Sequence, residues 1–244
     1  MAFNFKNQND IYLAFIAVIL YLMWFIDVFI KLLAGKVYGL FLFCSLSLLI
    51  VCIIIINKSQ TLLLVFLSAS IVIQGIWITD LLINVLFTKT SILGASEYIF
   101  KSNFSKLEIL STMRHFFIVP LEFFALLFLK KLPKNFNKFF LYLFISISFF
   151  LIPSLFFGAE ENMNYVYAPS FEVNSFFSNP VIYFISFFVF LIVSSSLIGI
   201  LFYKILNNKK IFSLKHIKIY FWITLILVLL VSIKISIMII NLRA

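Results

Sequence analysis

The chain has 244 residues, of which 64% are hydrophobic and only 11% charged, with a mean hydropathy of +1.17. A water-soluble domain of that length needs far more charge to cover its surface, so the composition excludes one. The formal charge of +10 does not point to nucleic acid, because the lysines sit in short clusters between apolar runs, as topology signals facing anionic lipid do.

Apolar runs long enough to cross a bilayer recur along the whole chain and predict an all-α polytopic bundle of about seven spans in one transmembrane domain, 1–244. The first, 11–33, is too long for a cleaved signal peptide and reads as an uncleaved helix. Asp27 lies near its end with Lys31 at i+4, a spacing suited to a pair that snorkels to the interface. The second, 37–56, holds both cysteines, Cys44 and Cys52, too far apart on one helix to bridge. With no CxxC or Cys/His cluster, neither a disulfide, a metal nor a cofactor is expected.

The third span, 61–87, carries Asp80. The connection 88–105 contains GASEYIF, whose Tyr98 and Phe100 suit the headgroup level. The fourth, 106–129, contains STMRHFFIVP, two ionisable groups side by side within an apolar helix. Ser111, His115 and Glu122 share one face of it, by the three- and four-residue helical spacing. Pro120 removes a backbone hydrogen bond and predicts a kink just below His115. Arg114 points about 100° away from His115, which suits a pairing with Asp80. Glu122, the deepest, is expected against a serine or threonine hydroxyl.

Spans five to seven are predicted at 139–157, 179–203 and 218–240. Between the fifth and sixth, GAEENMNYVYAPSFEVNSFFS (158–178) is the most polar connection. It is read either as folding over a helical cavity or as an ordinary solvated loop with interfacial tyrosines. Lys130, Lys131, Lys134 and Lys138 fall on the same side as Lys204, Lys209, Lys210, Lys215 and Lys218. That side is predicted cytoplasmic, with the N-terminus inside and the C-terminus outside. On this topology Asp80 lies about 10 Å, and Arg114 and His115 roughly 12–14 Å, below the outer boundary, with Asp27 near the same level. Charges at such depth are costly and usually line a functional cavity.

The order WITDLL (77–82), SEYIF (96–100), STMRHFFIVP (111–120), ENMNYVYAP (161–169) and FFSNPVIYF (176–184) resembles an uncharacterised family of bacterial polytopic membrane proteins. The resemblance covers roughly residues 60–200. It implies a site containing Asp80, Tyr98, Ser111, His115, Pro120, Glu161, Asn162 and Asn164. The chain departs from the family pattern in having Glu97 where aspartate is usual and Tyr165 where tryptophan is usual. A shorter likeness is to the androgen-induced-gene family of membrane lipid hydrolases. It is carried by His115, Pro120 and the segment Tyr165-Val166-Tyr167-Ala168-Pro169; that family's nucleophilic threonine has only Thr79 as a counterpart.

Three functions compete. One is a membrane-embedded hydrolase or acyltransferase acting on a lipid or lipid-linked substrate. There His115 is the general base, Asp80 orients it or pairs Arg114, and Ser111 or Thr79 is the candidate nucleophile. Arg114, Tyr98, Glu161, Asn162 and Asn164 bind substrate, while Pro120, Asp27 and Glu122 are structural. The second is an ion- or proton-coupled transporter with His115, Asp80 and Glu122 as a relay. The third is a non-catalytic scaffold or accessory subunit in which the polar cluster only pins helices. All three place the chain in the inner membrane of a bacterial cell, with membrane lipids as partners and no nucleic acid.

Overall fold

The computed structural model describes residues 7–36, 39–40, 42–88, 95–100, 104–129, 136–155, 179–207 and 214–243, and among these there is no strand. The helices are α1 Gln8–Leu33, α2 Phe43–Ile56, α3 Gln60–Ile83, α4 Lys106–Thr112, α5 His115–Leu129, α6 Asn137–Ser154, α7 Pro180–Asn207 and α8 Leu214–Arg243. A π turn, Asn84–Thr88, prolongs α3, and a 3-10 turn spans Glu97–Phe100.

Five segments are long and apolar enough to cross a membrane: Gln8–Leu33, Gln60–Phe87, Lys106–Leu129, Val181–Asn207 and His216–Leu242. They coincide with five of the predicted spans. The second is shorter than predicted: α2 has 14 residues, about 21 Å of helix against a hydrocarbon core of about 30 Å. The chain enters it through a turn at Gly39–Leu40 instead of extending the helix back to 37. Gly35, at φ 69 just beyond α1, adopts the left-handed conformation that ends that helix.

Within the span Lys106–Leu129 the helix is interrupted. Ser105 caps α4 reciprocally with Glu108: its Oγ accepts from Glu108 N (3.2 Å), and Glu108 Oε2 accepts from Ser105 N (2.7 Å). α4 then ends at Thr112, and Met113 and Arg114 form a turn held by i→i+3 bonds from Met113 N to Leu110 O and from Arg114 N to Ser111 O. The break therefore lies ahead of His115, whereas the kink was expected below it. Pro120 sits inside α5, which continues through it to Leu129.

The helices alternate in direction. Asp10 meets Lys58 in the α2–α3 turn at 2.7 Å, Asn9 Nδ2 donates to Phe128 O near the end of α5 at 3.0 Å, and Lys218 of α8 donates to Gln8. These contacts gather one end of the bundle. The other end is capped by residues 95–100 and 104–112, where Lys36 pairs with Glu108 at 2.5 Å. A small apolar core forms there from Trp77, Leu81, Val85, Ile99, Ile109 and Ile239.

α3 packs against α2, α5, α6 and α7 and is the central helix. Outward faces are apolar instead of charged: Phe25 and Phe29 on α1, Val189 and Leu197 on α7, Ile226 and Leu230 on α8 are each about half exposed or more. Apolar surface on that scale is covered by lipid and not by water.

Candidate functional site

Arg114 and His115 are neighbours in sequence, but the turn at Met113–Arg114 sends them to different partners. Arg114 turns towards α1 and α2. Its Nη1 meets Asp27 Oδ1 at 2.8 Å and also donates to Ser111 O (2.8 Å) and Ser111 Oγ (3.0 Å). Its Nη2 donates to Ser45 Oγ (3.3 Å) and contacts Cys44 Sγ (3.6 Å). The carboxylate that Arg114 reaches is thus Asp27 and not Asp80, as its angular offset had suggested.

Asp27 is the hub of this cluster. Its Oδ2 accepts from Lys31 Nζ at 2.9 Å and its Oδ1 from Ser111 Oγ at 2.8 Å. The expected i+4 pair forms, but it does not snorkel outward. Asp27 is 1% and Lys31 13% exposed, because the Lys31 ammonium is drawn inward to Gly39 O (2.6 Å) and the Ser45 hydroxyl. Gly39 lies close against this lysine: a Cβ there would stand 3.2 Å from Lys31 Cε. One carboxylate, two cations and two serines thus join α1, α2 and α4.

His115 turns the other way, to α3. Its Nδ1 is hydrogen-bonded to Gln74 Oε1, and the Trp77 ring stacks on the imidazole at 4.0 Å between centroids and 16° between planes. An amide oxygen only accepts, so Nδ1 carries the proton and Nε2 presents its lone pair. Nε2 has no hydrogen-bond partner among the described residues, in a side chain only 3% exposed. The ring is thus oriented by an amide, which fixes its tautomer but brings no charge to balance an imidazolium.

Asp80, expected to orient His115, instead accepts from Ser96 N and Ser96 Oγ, both at 2.8 Å, and fastens the capping segment to α3. Tyr98, placed with the substrate-binding groups, accepts from Trp77 Nε1 at 3.0 Å, which fixes the indole that lies on His115. Ser111 is engaged with Asp27 and Arg114. Glu122 is fully buried and accepts from Ser70 Oγ at 3.0 Å, a hydroxyl partner of the kind expected for it. Glu161, Asn162 and Asn164 lie outside the described residues.

Gln74, Trp77 and Ser70 carried no role in the sequence reading. The signal for them was present: 70, 74 and 77 are spaced four and three apart, a polar stripe on an otherwise apolar helix. Comparison of the chain with protein-family models, with curated proteins and with solved structures gives no match.

Proposed function

We propose that this is a seven-span protein of the inner bacterial membrane, N-terminus cytoplasmic and capped end outward, that acts on a lipid or lipid-linked substrate with His115 as general base. The observation that carries this reading is the state of His115: Nδ1 held by Gln74, ring face covered by Trp77, and Nε2 buried with its lone pair unmatched by any described residue. An imidazole in that state abstracts a proton from a hydroxyl or water brought to Nε2. The reaction it suits is hydrolysis or acyl transfer. The resemblance to bacterial polytopic proteins, and the shorter one to membrane lipid hydrolases, belong to this proposal.

Within it, the roles shift from those expected. Gln74 takes the orienting place assigned to Asp80. Ser111, bonded to a carboxylate and an arginine, suits the Asp27 cluster better than attack beside His115. The lysine clusters 130–138 and 204–218 support the cytoplasmic assignment of the opposite end. The two shorter apolar helices, α2 and α6, are assigned as the remaining two of the seven spans.

The test is turnover of radiolabelled native lipids by purified protein. His115→Ala is expected to keep expression and thermal stability near wild type and to lose turnover. His115→Ala protein that unfolds, or that turns over lipid at the wild-type rate, would count against the proposal. A purely structural role is favoured by one observation, the Asp27–Lys31–Arg114–Ser111 network that ties three helices together. It predicts loss of folded protein, and not of activity alone, when Asp27 is replaced.

A further inference from the structure

Every acid in the described membrane-crossing segments is turned inward: Asp10, Asp27, Asp80, Glu108 and Glu122 are all buried. The exposed cations Lys106, Lys204 and Lys218 lie at the ends of those segments. Lys234 does not. It sits in the C-terminal half of α8, inside the segment His216–Leu242, and is exposed on the outer surface of the bundle. It has no hydrogen bond or ion pair among the described residues. Around it Leu230, Val231, Ile233 and Ile237 are each about half exposed, so the ammonium opens onto lipid.

A lysine in such a place ordinarily snorkels to the interface. The geometry of α8 opposes it. Leu242 ends the segment about 12 Å further on. The whole segment, 27 residues, is about 40 Å long against a hydrocarbon core of about 30 Å, which leaves Lys234 about 7 Å inside the hydrocarbon. Side chains on a helix lean towards its N-terminus, so a lysine near the C-terminal end leans deeper and not outward. A charge held at that depth needs an anion brought to it.

A second feature lies on the same flank. α7 packs on α3 and α8 on α5, and the two make little contact with each other across the described residues. Between them runs an open apolar groove of about 380 Å³, floored by Leu67, Val119, Pro120 and Phe123 and walled by Phe202 of α7 and Thr224 of α8. Thr224, Leu227, Val231 and Lys234 recur at three and four residues, one stripe along α8. The stripe leads from the groove to the lysine over about 15 Å, which is the depth of hydrocarbon in one leaflet. One turn of a helix, about 10–12 Å across and 5.4 Å long, would already fill the groove, whereas an acyl chain lies in it with room along its length. A second copy of the chain brings no counter-charge, since its described segments expose no carboxylate to lipid.

We propose that the α7–α8 flank binds one anionic phospholipid, its phosphate against Lys234 and one acyl chain laid along the Thr224–Lys234 stripe into the groove. Charge selects the headgroup: a phosphate matches the ammonium in hydrocarbon, while a zwitterionic lipid brings a cation of its own to the lysine. Shape holds the chain, because fixed contact with Phe123 and Phe202 replaces contact with mobile tails. Local thinning of the bilayer brings the headgroup down to the lysine. The site is separate from the His115 reading. It faces lipid on α8, whereas His115 faces α3, and it holds whether or not His115 is catalytic.

The test is native mass spectrometry of the full chain released from nanodiscs of equal phosphatidylglycerol and phosphatidylcholine. One phosphatidylglycerol is expected to be retained about fivefold over phosphatidylcholine, the effect of one lysine on an anionic headgroup. Lys234→Gln should lose that preference and Lys234→Arg keep it. Lys204→Gln, at the far end of α7, should keep it as well. Thr224→Trp, which fills the groove, should lower retention of phosphatidylglycerol with Lys234 still in place. No preference in the wild type, an unchanged preference in Lys234→Gln, or an equal loss in Lys204→Gln would each overturn the proposal. So would displacement of the lipid by glycerol 3-phosphate, which has the phosphate without the chain, or a dimer that Lys234→Gln dissociates.

Discussion

Asp27→Ala is the substitution whose effect the structure constrains most tightly. The carboxylate is 1% exposed, accepts hydrogen bonds from Lys31 Nζ at 2.9 Å and Ser111 Oγ at 2.8 Å, and forms an ion pair with Arg114 Nη1 at 2.8 Å. Its removal leaves two cations buried side by side with no carboxylate between them. Breaking a buried pair in this way costs about 3–5 kcal/mol, most of it the uncompensated charge left behind. In a chain of this size that corresponds to a fall in Tm of about 10 °C. Asp27→Asn keeps the shape and one acceptor but not the charge, and is expected to lose nearly as much. The triple replacement Asp27→Leu, Lys31→Met, Arg114→Leu removes every charge at once and should recover most of the loss, because a matched apolar set is often as stable as the ion cluster it replaces. The assay is thermal unfolding in lipid nanodiscs. A Tm for Asp27→Ala within about 2 °C of wild type, or a triple variant no better than the single one, would refute the assignment of Asp27 as the hub.

Other substitutions probe packing elsewhere in the bundle. Gly199 lies against Phe139, where an added Cβ would stand 2.2 Å from the ring Cζ, so Gly199→Ala should destabilise by about 1–3 kcal/mol through overpacking of α6 on α7. Gly75→Ala meets nothing within 4 Å and should be neutral or stabilising by up to about 1 kcal/mol; equal Tm values for the two variants would contradict this. Ser70→Ala deprives the buried Glu122 of its hydroxyl donor and should cost about 1–3 kcal/mol, while Ser70→Ala combined with Glu122→Leu recovers it in the same unfolding assay. Cysteines placed at Lys138 and Lys218 should react with an impermeant maleimide in inverted membrane vesicles and not in intact cells; labelling in intact cells would reverse the orientation.

The helices were legible because a run of twenty apolar residues has few alternatives in a chain with so little charge, and α1, α3, α7 and α8 fall within a few residues of their predicted bounds. The break at Met113–Arg114 was not, since neither residue is a helix breaker. The turn follows from tertiary pull, with Arg114 drawn to Asp27 and His115 to Gln74 on opposite sides. The partner of Arg114 was misjudged for the same reason: an angular offset on one helix says which way a side chain points only while that helix stays regular. Lys31 was expected to reach for the interface, but the glycine at 39 and Ser45 give it a nearer set of acceptors. Gln74 was overlooked because an uncharged amide draws less notice than Asp80, although its place one turn from Ser70 and three residues before Trp77 was visible in the sequence.

The central claim is that His115 Nε2 faces a substrate, and an electron cryo-microscopy map of the protein in its native lipid tests it most directly. The account predicts density for a polar headgroup or ester within hydrogen-bonding distance of Nε2, with Gln74 on Nδ1 and Trp77 against the ring. A map in which Nε2 is bonded to another side chain of the protein, with acyl chains confined to the outer faces of α1, α7 and α8, would contradict it.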